Sequence, residues 1–275
     1  MQSRKLNANV GGDLGSATTE LMEKNGINTN NSGIPKGAVM LNKELLPSKG
    51  KFYASDIYVT PLSAQDLKNL NTMTEANSYN RINGVIASCI HGLPVKDILL
   101  NDKMWLLIYI RSVTYDDFPI FIKYECKECG KPGLFKMRLK DLNVKYIKPD
   151  FKDTIKLPKS GDEILVRFPS LKYEEKANNL KNNDQLVEAL DPEILDLCVY
   201  IDSVNGESKT TIEAYNYMLS MNAYDFATFS NYLLENNFGL IPTAEINCDC
   251  GNKIIQKYGF TSDFFLPNFN KYKDV

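Results

Sequence analysis

The spacing of apolar residues along this chain alternates between helical and strand periods. Leu62, Leu67, Leu70 and Met73 recur at helical spacing, and Ile82, Val85, Ile86 and Cys89 line a second helical face over 78–90. Trp105, Leu106, Ile108 and Tyr109 mark a third helix, with Asp102 expected as its N-terminal cap. A short strand over 57–60 precedes these helices, and Pro61 is expected to open the first of them. At Pro119 the period drops to two. Residues 120–126 alternate as a strand, with 133–139 as partner. Residues 154–158 and 163–168, joined through a Lys-Ser-Gly-Asp turn, read as a further hairpin. Helical spacing returns from Lys172 to Phe238. There Asp191-Pro192-Glu193 starts a helix, Asn205-Gly206 makes a turn, and 210–221 and 223–236 form a pair stopped by Gly239. A last strand pair covers 244–247 and 253–258.

These periods predict an α+β fold class. A helical N-terminal portion spans 37–118, and zinc-ribbon-like β hairpins span 119–170 and 240–265. A large helical insertion over 171–239 separates the two β stretches. Residues 1–36 are different in kind, rich in Asn, Gly, Ser and Thr, with one helix-like stretch at 19–24. Such a composition buries too little apolar surface to offset the entropy of ordering it. The segment reads as a flexible arm, either without a role or ordering on a neighbouring subunit.

Chemistry enters at the hairpin tips. Cys126-x-x-Cys129-Gly130 and Cys248-x-Cys250-Gly251 each stand between two strands. Two such knuckles, each giving two thiolates, supply the four-sulfur tetrahedron of a structural zinc site. A redox CxxC would be followed by a helix, whereas Lys131-Pro132-Gly133 leads into a strand. The 118 residues between Cys129 and Cys248 do not forbid a shared site, because loop-closure entropy grows slowly with length. Four thiolates leave no coordination position for water, so zinc would hold the fold and not catalyse. Cys89 and Cys198 lie on apolar helical faces and are expected in the core.

The remaining composition narrows the function. Hydrophobic residues are 43% and charged residues 24% of the chain, with a net charge of -2, which argues against a protein built to grip a phosphate backbone. The longest apolar run, 104–110, is too short to span a membrane, and 1–19 lacks a signal-peptide core. Folding in a reducing cytoplasm is expected, where clustered cysteines more often bind metal than pair as disulfides. His91 is the sole histidine, at an expected helix end, and no P-loop, GxGxxG or HExxH is present, so an enzyme is not expected. Lys123, Lys127, Lys131, Lys136, Arg138, Lys140, Lys145 and Lys148 crowd the first knuckle and keep a zinc-ribbon nucleic-acid-binding protein as the alternative. Glu125, Glu128 and Asp141 among them oppose it. Tyr215, Tyr217, Tyr224, Phe226 and Phe229 form either a docking surface or core.

The order of short motifs resembles the T4-like phage baseplate hub protein family. The residues concerned are Leu46-Pro-Ser-Lys-Gly-Lys-Phe-Tyr53, Thr60-Pro-Leu-Ser63, Asp102 with Trp105, Arg111-Ser-Val-Thr-Tyr115, the first knuckle, Leu157-Pro-Lys-Ser-Gly161 and Val166-Arg-Phe168. The resemblance covers most of 39–265 and excludes the Asn-rich arm. It implies a built-in subunit or assembly factor of the baseplate of a contractile tail. The implied partners are other baseplate and tail proteins in a hetero-oligomer, without membrane or nucleic acid. The implied location is the virion tail, and the host cytoplasm during assembly.

Overall fold

The computed structural model describes residues 34–74, 77–181, 190–260 and 262–267; the helix-like stretch at 19–24, and all of the expected arm before residue 34, lie outside them. Strands β1 (Val39–Met40), β2 (Tyr58–Val59) and β3 (Ile90–His91) form an antiparallel sheet in that order. Helices α1 (Ala64–Asn71), α2 (Ser78–Cys89) and α3 (Leu100–Thr114) accompany it. Leu46, Ile57, Leu70, Ile86, Leu106 and Ile110 are fully buried in their shared core, as is Cys89. Helix α1 starts three residues after Pro61. Ser63 accepts from the Asp66 amide while the Asp66 carboxylate accepts from the Ser63 amide, a reciprocal cap stronger than a leading proline.

Asp102 does not cap α3. Leu99 occupies the cap position, and Asp102 lies one turn inside, completely buried. Its carboxylate accepts from the Ser48 amide and from the Tyr53 hydroxyl, each at 2.9 Å, and the Tyr53 oxygen accepts from the Leu99 amide at 2.9 Å. An acidic residue in the first turn gains from the helix dipole as a cap does, so the choice falls to the 46–53 loop, which brings the donors. At the other end of α3, buried Arg111 donates to the carbonyls of Phe264 (2.7 Å) and Phe118 (2.6 Å). The Tyr115 hydroxyl donates to the Phe265 carbonyl at 2.6 Å, so α8 (Ser262–Phe265) is fastened to α3 by two side chains.

Beyond α3 the chain turns to hairpins. Strand β4 (Ile120–Glu125) pairs with β5 (Pro132–Met137), and β12 (Thr243–Asn247) with β13 (Lys253–Lys257). The two hairpins share a small core of Ile122, Met137, Ala244 and Ile246. The hairpin of β7 (Thr154–Lys156) and β8 (Glu163–Val166) goes elsewhere. It joins β9 (Ile201–Val204) and β10 (Glu207–Ser208) in a sheet of order β10-β9-β8-β7. Helices α5 (Pro192–Cys198), α6 (Thr211–Ser220) and α7 (Ala223–Asn236) contribute to a second core with that sheet, in which Leu157, Ile164, Cys198, Ile201, Tyr215 and Phe229 are buried. Sheet pairing therefore runs across the expected boundary at 170/171, and the expected helical insertion contains strands. Asn205 and Gly206 take φ of 52° and 82°, the two positive values of a type I′ hairpin turn, which closes strands and not helices.

The second core is rooted at the head of α3. The Leu100 amide donates to Pro169 O and the Leu171 amide to Ile98 O, both at 2.9 Å. Helix α4 (Leu171–Lys181) then leaves, tied back by Lys103 Nζ against both Glu174 carboxylate oxygens at 3.0 and 2.9 Å. On the return, Asn101 Nδ2 donates to Phe238 O at 2.7 Å. Asn237, not Gly239, ends α7. Gly239 lies in β11 (Gly239–Leu240), which pairs with β6 (Val144–Lys145). The Leu157-Pro-Lys-Ser-Gly161 turn is held as the 46–53 loop is, because buried Asp225 accepts from the Lys159 and Ser160 amides at 2.9 and 2.8 Å.

Replacing Asp102 by Ala leaves an amide and a phenol unsatisfied in the core and should cost roughly 3 kcal/mol or more. Tyr53→Phe should cost about 1–3 kcal/mol. Urea unfolding of the full chain measures both, and a neutral Asp102→Ala would refute this account of the loop.

Candidate metal centre

Each knuckle is built by its own hairpin. In the first, the Cys126 amide donates to Lys131 O (3.0 Å) and the Gly130 amide to Cys126 O (2.8 Å). In the second, the Cys248 amide donates to Asn252 O (2.9 Å) and the Gly251 amide to Cys248 O (2.8 Å). The second loop is one residue shorter, matching CxC against CxxC. Gly130 and Gly251 have φ of 68° and 86°, a left-handed turn at which a side chain would be strained. That turn reverses the chain after the second cysteine of each pair and leads it into the following strand.

The small shared core sets the two tips side by side. Cys126 Sγ lies 3.7 Å from Cys250 Sγ, and Cys129 Sγ 3.7 Å from Cys248 Sγ. All four sulfurs are within 4.8 Å of one another. None is in a disulfide. Four thiolates around a zinc ion at about 2.3 Å would stand about 3.8 Å apart along each tetrahedral edge. Cys126 and Cys248 are buried, and Cys129 and Cys250 exposed, so each knuckle gives one inner and one outer donor. The sequence had singled out these four residues, and the fold brings all of them together. Among the described residues they form the cluster of ligand-type side chains that could hold a metal ion.

Local hydrogen bonds favour the thiolate at Cys126, while Cys129 and Cys250 are pushed up by neighbouring thiols. The Cys129 backbone amide first, then the Asn252 side chain at 3.6 Å, draw the Cys126 thiol down to about 6. Cys250, although the Asn252 amide lowers it, is pushed up on balance by the thiols of Cys248 and Cys129. Thiols this close ionise as a group, and a divalent cation among them would favour the thiolate form of all four. Lys131 Nζ meets Asp249 Oδ2 at 2.6 Å and bridges the two tips. Sequence reading missed both Asn252 and this bridge; the signals were an amide side chain just after Cys250-Gly251 and opposite charges inside the two knuckles.

The other candidates fall into structural positions. His91 pairs opposite Tyr58 in the first sheet, its Nε2 3.1 Å from Thr60 Oγ1, and partial burial lowers its pKa. Tyr215 and Phe229 are core, Tyr217 donates to Asp162 at 2.9 Å, and Tyr224 is exposed. No described helix is long and apolar enough to cross a membrane.

The chain is a mixed α+β body whose paired hairpins converge on four thiols. The model of the family described as "T4 bacteriophage base plate protein" matches residues 40–266, and the chain belongs to that family. No curated protein and no solved structure matches it.

Lys131 and Asp249 are exposed, so water and salt screen their attraction. Lys131→Ala, Asp249→Ala and the double variant should unfold at the wild-type midpoint in 0.15 M salt (order of the ionic strength at which such pairs weaken), as read by circular dichroism.

Proposed function

We propose that this chain is a structural or assembly component of the baseplate hub of a contractile phage tail, and that Cys126, Cys129, Cys248 and Cys250 hold one structural zinc ion. The family match over 40–266 supports the baseplate role. The hub assignment rests on the motif resemblance. Several of those motif residues do fold-determining work, among them Ser48, Tyr53, Asp102, Arg111 and Tyr115 in the hydrogen bonds described above. Such residues fix a scaffold. Its partners are other baseplate and tail proteins, in a hetero-oligomer, and its locations are the host cytoplasm during assembly and the virion tail.

Zinc is favoured by an all-sulfur donor set and by sulfur spacings close to a tetrahedral edge. When bound it cross-links the hairpins and offers no site to a substrate. The nucleic-acid alternative gains nothing here, since Lys131 is engaged by Asp249 and acidic residues interrupt the basic run.

Elemental analysis of the purified full chain should give one zinc per protein, and Cys129→Ser or Cys248→Ser should lower that ratio and the melting temperature. A wild-type chain without metal would refute the zinc assignment. Because the ligands must shed protons to bind, metal should be retained at neutral pH and released as the pH is lowered and the thiolates are protonated. A metal-indicator dye titration records that release. Quantitative mass spectrometry of purified virions tests the baseplate role: a fixed ratio to other tail proteins marks a built-in subunit. Presence only in infected-cell extracts marks an assembly factor.

A further inference from the structure

Apart from the cysteine cluster, one face of the molecule gathers exposed lysines and apolar side chains. The Ile147 amide donates to Pro47 O at 2.9 Å and lays the 145–152 segment beside the 46–53 loop. This brings Lys49, Lys51, Lys145, Lys148 and Lys152 to one surface, all exposed. Among the described residues none of the five makes an ion pair with a carboxylate. Three of their ammonium groups rest instead on backbone carbonyls: Lys49 on Glu44 O, Lys51 on Phe151 O and Lys145 on Leu234 O. Two stand over rings, Lys49 at 3.9 Å from the Tyr146 centroid and Lys51 at 5.3 Å from that of Phe151. The same surface exposes Phe52 (39%), Tyr146 (42%) and Leu234 (69%).

Phe52 is held rigidly, stacked on Phe238 at 6.3 Å and edge-on to Phe168 at 5.6 Å, so it is a fixed apolar anchor. Fixed aromatics ringed by uncompensated ammonium groups suit a ligand that brings carboxylates around an apolar side chain. The exposed carboxylates of Glu44, Asp150 and Asp153 on the same segments oppose any polyanion alike, so the apolar surface of Phe52, Tyr146 and Leu234 is what favours a protein segment over a nucleic acid.

We propose that this face, formed by 49–52 and 145–152, docks an acidic segment of another protein. The inference goes beyond the zinc assignment and does not need it; the baseplate reading bears only on which protein supplies the segment.

The test uses the full chain, with fluorescein-labelled poly-L-glutamate and a labelled DNA duplex as probes in fluorescence anisotropy. The variant Lys49→Glu/Lys51→Glu/Lys148→Glu should weaken poly-L-glutamate binding at least about tenfold. The charge-matched control Lys123→Glu/Lys253→Glu/Lys257→Glu, on the hairpins, should bind as wild type does. Equal loss in both variants would mean a general charge effect and would overturn the proposal. So would tighter binding of the duplex than of poly-L-glutamate. Sedimentation velocity of the wild type should show no self-association that the patch variant abolishes, since that result would assign the face to a second copy. All substituted lysines are exposed, and an unchanged zinc content and unfolding midpoint separate a docking defect from failure of the zinc assignment or of the fold.

Discussion

Burying Asp102 takes a carboxylate out of water, and the structure offsets that cost with an amide, a phenol and the positive end of α3. Burial pushes its pKa above the ordinary range while the bonds from Ser48 and Tyr53 pull it back. The consequence spreads outward from this point. Through Ser48 and Tyr53 the carboxylate sets the course of the 46–53 loop, and Tyr53 passes the constraint to Leu99, where the helix begins. The neighbouring residues 98–101 receive both strands of chain that lead to and from the second core. That turn is thus one of the places where the second core is tied to the first, beside the Lys103–Glu174 pair and the β11–β6 pairing.

The hairpin module answers to a different constraint. Its own core is Ile122, Met137, Ala244 and Ile246, with partly buried neighbours, and isolated two-stranded hairpins are marginal in water. The four thiols stand together at the tips of these hairpins. Asp225 repeats the Asp102 solution at the third residue of α7, holding a second Leu-Pro turn by its amides. Two buried carboxylates therefore fasten loops that side-chain packing alone would leave loosely ordered.

Much of this was legible in the residues themselves. The knuckles announced themselves because cysteine spacing, a following glycine and flanking strand periods all agreed, and the fold brought those four residues together. The helix start at Asp191-Pro192 was also readable, since Pro at the first helical position marks it. Asp102 was not, because an acidic residue suits the first turn as well as the cap and only the distant Ser48 and Tyr53 decide. Strands β9 and β10 were hidden by length: four and two residues carry no period, and Asn-Gly serves helix connections and hairpins alike in a helical context. Pairing of β7 and β8 with them is a long-range fact that no local pattern contains.

The two halves of the sulfur cluster are also separated in time. Synthesis at roughly 5–20 residues per second needs about 6–24 s to cross the 118 residues between Cys129 and Cys248. The first knuckle leaves the ribosome with its glycine turn and its two sulfurs but without the second pair. In that interval the second core, encoded wholly between them, can emerge first. The four sulfurs are therefore assembled only after that core has been synthesised, and the contacts of α8 with Arg111 and Tyr115 come later still.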